Sequence, residues 1–346
     1  MTGTDSIADR EGCCHYFGQR AVDPDYTRFV VGLAMLLVLL ILGAVRLPWV
    51  DGADWTTLEQ DKSYVTMIEA SDSRAVIDFL RSEGMWEMDA QKPLPPLVFT
   101  SFPVDMGQLR ASTRKRLFLH TLAPTAMVAL AEVAHERAEL LRVVGRMDFA
   151  ECTLEKLIRE EVSYQDCGLV SAEADFLRLL SAKYRTARMD VLLNRVNVIP
   201  LSLVLAQAAM ESAWGGSRFV QEGNNIFGVW TWGSEGMVPA NRAPGMTHRV
   251  AIYDSLLDSV RAYLLMLNRV SAYSTLREIR RESMDSLALV NGLRYYSEKR
   301  ERYVDDLRRL IKTNQMQRYD ILTISLEPAE VQKQLSTESF RQTRLD

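Results

Sequence analysis

The sequence predicts a mainly α-helical protein with a small β excursion, preceded by a transmembrane helix and a helical region. Three observations support this prediction. An uncharged apolar run extends from Phe29 to Val45, and helical spacing of apolar residues dominates beyond Pro124. The stretch from Asn224 to Val250 combines glycine, asparagine, tryptophan and proline with short apolar runs, a pattern typical of turns and a short hairpin.

The apolar run is long enough to cross a membrane when it is extended to residue 50, because a bilayer needs about 20 mostly apolar residues. Cytoplasmic flanks are enriched in Lys and Arg. The tail before the run carries three arginines, Arg10, Arg20 and Arg28. We therefore expect a cytoplasmic tail at 1–28, an uncleaved inner-membrane anchor at 29–50 and a periplasmic remainder. A cleaved signal peptide is the alternative, which the long tail and the lack of a clean small-x-small site disfavour.

The four cysteines divide between the two sides of the expected anchor. Cys13 and Cys14 precede it, and Cys152 and Cys167 follow it. Only the second pair would meet an oxidising compartment, where a disulfide persists. Two ordinary buried thiols are the alternative, and the sequence leaves both open.

Three further segments are expected to have structural roles, as spacers or as packing elements. Residues 51–105 are interpreted as a stalk and a proline-rich linker, because proline removes a backbone donor and biases its predecessor away from helix. Residues 106–190 are predicted to form a helical region, with one helix beyond Pro124 and a second opening at Ser171. The polar residues 319–346 are expected to form a C-terminal tail.

Charge and motif content exclude several classes of function. The formal net charge of −4 comes from 41 basic and 45 acidic residues. They are mixed along the chain, so the sequence has no basic stripe that would bind a nucleic acid. The sequence has no P-loop, no dinucleotide fingerprint, no HExxH and no CxxC. We therefore expect no nucleic acid, no nucleotide, no metal and no cofactor. Acid-base chemistry by carboxylates remains.

Glu211 is the carboxylate best placed for such chemistry. Pro200 suits the first position of a helix with a compact apolar stripe, and Gly215 and Gly216 stop it. Glu211 then lies in the last turn, at the edge of the buried face. Burial against apolar groups raises a carboxyl pKa, so such an acid keeps its proton for donation. A solvated surface glutamate is the alternative that spacing alone favours.

Four short blocks follow one another in the second half of the chain. They are Ile199–Ser217 with Glu211 inside it, Asn224–Gly228, the set Tyr253, Ser255, Ser259 and Tyr263, and Tyr296–Tyr303. In this order they resemble the motifs of the bacterial glucosaminidase domain family, whose members are similar to mannosyl-glycoprotein endo-β-N-acetylglucosaminidase and flagellar muramidase. The anchor, linker and helical region make the chain most similar to the membrane-anchored Bax-type branch.

The resemblance implies a fold, a substrate and two roles. It implies a lysozyme-like lobe in a catalytic domain at 191–318, and hydrolysis of the β-1,4 bond after N-acetylglucosamine in peptidoglycan. By motif, Glu211 is the general acid, and Tyr296 is a cleft residue near the reaction centre. The implied partners are the glycan strands of peptidoglycan and the inner membrane.

The second catalytic group is less firmly indicated. A pair of carboxylates stands about 5 Å apart in retaining glycosidases and about 6.5 to 9.5 Å apart in inverting ones. Related enzymes have an acid on the β excursion, where Glu235 is the candidate here. An exposed turn residue is the alternative for Glu235, and the N-acetyl group of the substrate could instead assist its own cleavage.

Aromatic and amide side chains are the candidate substrate-binding groups. Trp214 and Trp230 could stack on sugar rings, and Asn224 and Asn225 could bind acetamido groups. Each has a structural alternative: the tryptophans could fill the core, and the asparagines could close a turn. Phe227 is expected in the core.

Two other functions compete with hydrolysis. A lytic transglycosylase also uses a single glutamate in a lysozyme-like cleft. A catalytically idle wall-binding scaffold would bind glycan while the helical region recruits partners.

Overall fold

The computed structural model describes residues 65–325, except 71, 240, 241, 243 and 244. The expected cytoplasmic tail and membrane anchor, residues 1–50, lie outside the described residues.

The described part of the chain is mainly helical, which confirms the predicted fold class. Its α-helices are α1 (Ser73–Ser82), α2 (Ala111–Val144), α3 (Leu154–Ile158), α4 (Ser171–Tyr184), α5 (Met189–Arg195), α6 (Leu201–Glu211), α7 (Arg218–Gly223), α8 (Leu256–Arg269), α9 (Ser274–Glu282), α10 (Ser286–Leu289) and α11 (Glu301–Thr313). Short 3₁₀ segments are Met106–Gln108, Ser271–Tyr273, Val290–Leu293 and Met316–Ile321. The strands are β1 (Thr66–Ile68), β2 (Leu97–Phe99), β3 (Trp230–Thr231) and β4 (Arg249–Val250).

The region before α2 differs from the expected stalk and linker. Strands β1 and β2 pair in parallel, with Thr66 opposite Leu97. All three residues of β2 are buried, and they belong to the same apolar core as the candidate site. The physical reason is that the prolines favour extended backbone, and an extended apolar segment gains most by burial in a strand. The segment 65–105 is therefore part of the folded domain.

Helix α2 runs through Pro124, whereas the sequence predicts a helix only beyond it. Residues 117–131 of α2 are all buried, so tertiary packing surrounds the proline on every side. Such packing outweighs the roughly 3 kcal/mol that an interior proline costs a helix. Helix α2 is long and apolar enough to cross a membrane, but its apolar stretch is almost entirely buried in the core.

A second apolar cluster surrounds the end of α2, together with α3, α4 and α5. Cys152 and Cys167 are fully buried there and form a disulfide. This resolves the choice between a disulfide and two free thiols in favour of the disulfide.

Helix α6 lies in the main core and packs against α2, α11 and the last 3₁₀ segment. Asp320 caps the first turn of α6, because its carboxylate accepts from the backbone N–H of Ser202 at 2.7 Å and from its hydroxyl at 2.6 Å. Tyr319, Leu322 and Ile324 are buried. The described start of the expected C-terminal tail thus belongs to the fold that supports α6.

Candidate active site

Glu211 is the last residue of α6 and is half-buried. The helix carries it to the edge of the core, because residues 201–209 are all buried. The Tyr303 hydroxyl donates to Glu211 Oε1 at 2.8 Å. Burial raises the pKa of Glu211, while the Tyr303 hydrogen bond and the charge of Lys299 oppose that rise. The net rise keeps this carboxyl protonated to higher pH than an exposed glutamate.

A chain of hydrogen bonds fixes the direction of the Tyr303 hydroxyl. Tyr263 donates to Gln207 Oε1 at 2.6 Å, and Gln207 Nε2 donates to the Tyr303 oxygen at 3.0 Å. The Tyr303 oxygen therefore receives one hydrogen bond and gives its own proton to Glu211. Gln207 and Tyr263 are fully buried, so neither has water as a competing partner. The position of the Glu211 carboxylate is set before any ligand arrives.

Tyr296, the residue expected near the reaction centre, does not bond Glu211 directly. Its hydroxyl donates to the Phe227 carbonyl at 2.9 Å, and its ring stacks on Tyr303 with centroids 5.5 Å apart. The ring of Tyr273 also packs against Tyr296, with centroids 5.9 Å apart. Burial raises the pKa of Tyr273 to about 12 and that of Tyr296 further, so both hydroxyls stay neutral. Tyr296 thus contacts Glu211 only indirectly, through the side chain of Tyr303.

The turn that follows Glu211 is strained. Ala213, Trp214 and Gly215 all have positive φ, at 51°, 58° and 78°. A non-glycine residue in this region costs free energy, and such residues persist only where surrounding packing holds them. A Cβ at Gly215 would lie 3.2 Å from side-chain atoms of both Met106 and Phe118.

Trp214 is held by the N-terminal part of the domain. Its ring meets Phe118 edge to face at 5.7 Å, and the Lys115 Nζ lies 4.9 Å from its centroid. The indole is half-buried, which fits both a packing role and partial access to a ligand. Residues of α2 therefore shape the turn beside the acid.

The β3–β4 hairpin presents exposed aromatic surface. Trp230 is 52% exposed and Trp232 is 72% exposed, with ring centroids 6.4 Å apart. Trp230 stacks on the buried His248 ring at 4.3 Å, which fixes the plane of the indole. Glu235 lies between the two strands and is exposed. Trp230 thus presents an exposed indole, and Glu235 is exposed on the same hairpin.

The side chains of Asn224 and Asn225, two candidate substrate-binding groups, bond to the backbone. The Asn225 amide donates to the carbonyls of Val229 and Ala251, and its oxygen accepts from the Val229 N–H. Asn224 ends α7 with φ of 50°, and its side chain donates to the Tyr253 carbonyl. Turn chemistry, the alternative for this pair, describes these contacts. Phe227 is buried, as expected.

Tyr303 and Gln207 lie inside two of the four sequence blocks, but sequence reasoning assigns neither of them a role. A signal for Gln207 exists, because it is a polar residue inside an apolar stripe, one turn before Glu211. A buried amide needs partners, and those partners are the hydroxyls around the acid. Among the described residues, no group of three or more His, Cys, Asp or Glu side chains converges as a metal site would require.

Comparison with known proteins gives three findings. Residues 156–316 match the glucosaminidase family, described as mannosyl-glycoprotein endo-β-N-acetylglucosaminidase. Protein bax of Escherichia coli K12 is 29% identical over 210 residues, which cover 58% of this chain and 70% of that protein. Peptidoglycan hydrolase FlgJ of Salmonella typhimurium LT2 is 27% identical over 150 residues, covering 40% of this chain and 46% of that protein.

No solved structure gives a significant match to the chain. The matched range contains Glu211, Tyr296 and Tyr303, so the family match and the buried hydrogen-bonded acid fall in the same place. Through residues 156–316, the chain is similar to the glucosaminidase family.

Proposed function

We propose that the chain is a peptidoglycan hydrolase that cleaves the β-1,4 bond after N-acetylglucosamine, with Glu211 as general acid. The observation that carries this proposal is the half-buried Glu211 carboxyl, held by Tyr303 at the end of α6. The family match and the name of the relative FlgJ, a peptidoglycan hydrolase, support glycoside hydrolysis and the choice of substrate.

The acid step uses the two oxygens of Glu211 differently. Tyr303 occupies Oε1, which leaves Oε2 to carry the proton and face the glycosidic oxygen. As the bond from the anomeric carbon to that oxygen breaks, the proton moves to the leaving group and Glu211 becomes a carboxylate. The Tyr303 hydrogen bond and the positive charge of Lys299 favour this carboxylate, so they stabilise the product of the transfer.

Glu235 is proposed as the second carboxylate. It is the sole acidic residue in the sequence between Trp230 and Val250, so a carboxylate supplied by the hairpin has to be Glu235. Glu235 would act on the anomeric carbon directly or through a water molecule. If the acetamido group of the substrate supplies the nucleophile instead, Glu235 is dispensable.

Sugar binding is assigned to the exposed indoles. Aromatic rings offer flat apolar area to the apolar face of a sugar, and Trp230 and Trp232 offer two such rings. Trp214 supplies a third, beside Glu211. The hairpin and the turn after α6 would then hold the glycan on two sides of the acid.

The proposed location is the periplasmic side of the inner membrane, with 29–50 as the anchor. The Cys152–Cys167 disulfide supports this location, because disulfides persist in oxidising compartments and are rare in the cytosol. The glycan of the cell wall is in the same compartment.

The test is digestion of labelled peptidoglycan by the full chain in detergent, wild type beside Glu211→Gln. The amide keeps the shape and the Tyr303 contact but has no acid proton. We expect the wild type to release fragments with reducing-end N-acetylglucosamine. Anhydro-muramyl ends would instead identify a lytic transglycosylase. Equal release by both proteins would end the proposed role of Glu211, and no release by either would leave only a wall-binding scaffold.

A further inference from the structure

A cleft of about 620 Å³ is lined by residues that do not include Glu211. It is formed by the start of α2, by the loop at 87–90 and by the segment that follows α11. Clefts of this size accommodate small ligands or a short piece of a polymer. Its α2 and loop residues precede the range 156–316, so the family match does not account for them.

The cleft is positively charged. Lys115, Arg116 and Arg318 line it, and Glu87 is the acidic residue on its wall. Arg116 pairs with Glu87 at 2.7 Å and also donates to the Trp86 carbonyl. The excess charge therefore belongs to Lys115 and Arg318.

Lys115 and Arg318 both keep donors for a ligand. Lys115 donates to Asn314 Oδ1 at 3.0 Å, and Arg318 Nη2 donates to the Tyr319 hydroxyl at 3.2 Å. Both acceptors are neutral, so neither contact cancels a charge. An ammonium has three donors and a guanidinium has five, which leaves several for an anion.

His120 adds a buried polar group to the wall of this cleft. Its side chain is 4% exposed, and its Nδ1 has no hydrogen-bond partner among the described residues. Burial lowers the pKa of His120 to about 4, and the charges of Arg116 and Arg318 lower it as well. The ring is thus neutral at neutral pH and adds no charge to the wall of the cleft.

The cleft is connected to both elements that hold Glu211. Lys115 lies over the ring of Trp214, three residues after the acid. Asn314 directly follows α11, the helix whose Tyr303 bonds Glu211. At about 1.5 Å per residue, Asn314 is about 16 Å along the helix from Tyr303. A glycan strand at the acid could therefore place a flexible side branch in the cleft.

We propose that this cleft binds the free carboxylates of the peptide stems that branch from a peptidoglycan strand. The inference rests on the proposed function. Lys115 and Arg318 supply the charge, and Asn314 supplies a neutral amide that suits the peptide groups. A glycan without peptides would leave this cleft unused, so the cleft would discriminate between stemmed and bare strands.

The test measures binding of a fluorescent stem peptide to the full chain in detergent. We expect the wild type to bind the peptide and the pair Lys115→Gln with Arg318→Gln to bind at least about tenfold more weakly. The same peptide with amidated carboxylates should bind the wild type as weakly. The charge-preserving pair Lys115→Arg with Arg318→Lys should retain binding, which separates lost charge from lost folding.

Two nearby cations outside the cleft provide the matched control. Arg309→Gln with Lys312→Gln removes the same charge from exposed positions on α11 and should leave the peptide affinity unchanged. Glu211→Gln should also bind the peptide like the wild type, so the cleft can be tested even if no glycan is cleaved. Undiminished binding by the Lys115 and Arg318 pair, or tighter binding of inorganic phosphate than of the peptide, would overturn the proposal.

Discussion

The residues around Glu211 and those of the β3–β4 hairpin differ in how firmly their polar groups are held. Glu211 accepts from Tyr303, which is itself fixed by buried Gln207. Glu235 is exposed, and the indoles near it are more than half exposed. The acid is therefore held by buried partners, whereas the hairpin holds the plane of Trp230 through His248 and leaves Glu235 exposed. In the proposed mechanism, proton donation therefore depends on contacts already made in the folded chain, whereas glycan recognition depends on exposed side chains.

The acid side gives the largest expected effect. Glu211→Gln should lower turnover of peptidoglycan at least about a thousandfold, because no other group replaces the proton donor.

The same substitution should raise the melting temperature at neutral pH. Burial raises the Glu211 pKa, so the wild type loses stability relative to the variant as pH rises through that pKa. Melting temperatures at pH 4 and pH 7 measure this; a variant that is less stable than wild type at pH 7 would speak against a buried acid.

The hairpin carboxylate gives the next effect. Glu235→Gln should lower kcat about a hundredfold if Glu235 supplies the second carboxylate. Glu222→Gln is the matched control, because Glu222 is an exposed glutamate on α7 that pairs only with Arg218 among the described residues. Both are compared in kcat on the same glycan. Full activity of Glu235→Gln would transfer the role to the acetamido group of the substrate.

The Tyr303 hydrogen bond tests preorganisation itself. Tyr303→Phe should lower kcat about tenfold and leave KM nearly unchanged, because the hydroxyl acts through Glu211. The bond favours the carboxylate, so its loss raises the Glu211 pKa and moves the alkaline limb of the rate profile to higher pH. Tyr253→Phe, which removes a hydroxyl away from this chain of bonds, should show the wild-type profile. A limb that moves to lower pH in Tyr303→Phe would contradict this direction.

The smallest effect belongs to recognition. Trp230→Ala should raise KM about fivefold with little change in kcat or stability, because the indole is 52% exposed and lies outside the core. Met246→Ala removes another exposed apolar side chain from the same excursion and should have no effect. Initial rates over a range of glycan concentrations separate the two. A fall in kcat alone for Trp230→Ala would place Trp230 among the groups that position the acid.

Local pattern predicted the position of Glu211, because a helix edge follows from the apolar stripe and the glycines that end it. Its hydrogen-bond partner could not be predicted, since Tyr303 is 92 residues away and only tertiary packing brings it near. The same reason applies to Pro124, whose helix is maintained by burial on all sides. Asn225 shows a different limit of sequence reasoning. The motif identifies the residue, but it does not predict that the amide bonds to the backbone.

The ionisation of Glu211 is the quantity on which the proposed mechanism depends most directly. It can be measured by ¹³C NMR titration of glutamate carboxyls in the full chain, with the Glu211 signal assigned by its absence in Glu211→Gln. We expect a pKa above the roughly 4.3 of an exposed glutamate. A value at or below that would contradict a buried general acid.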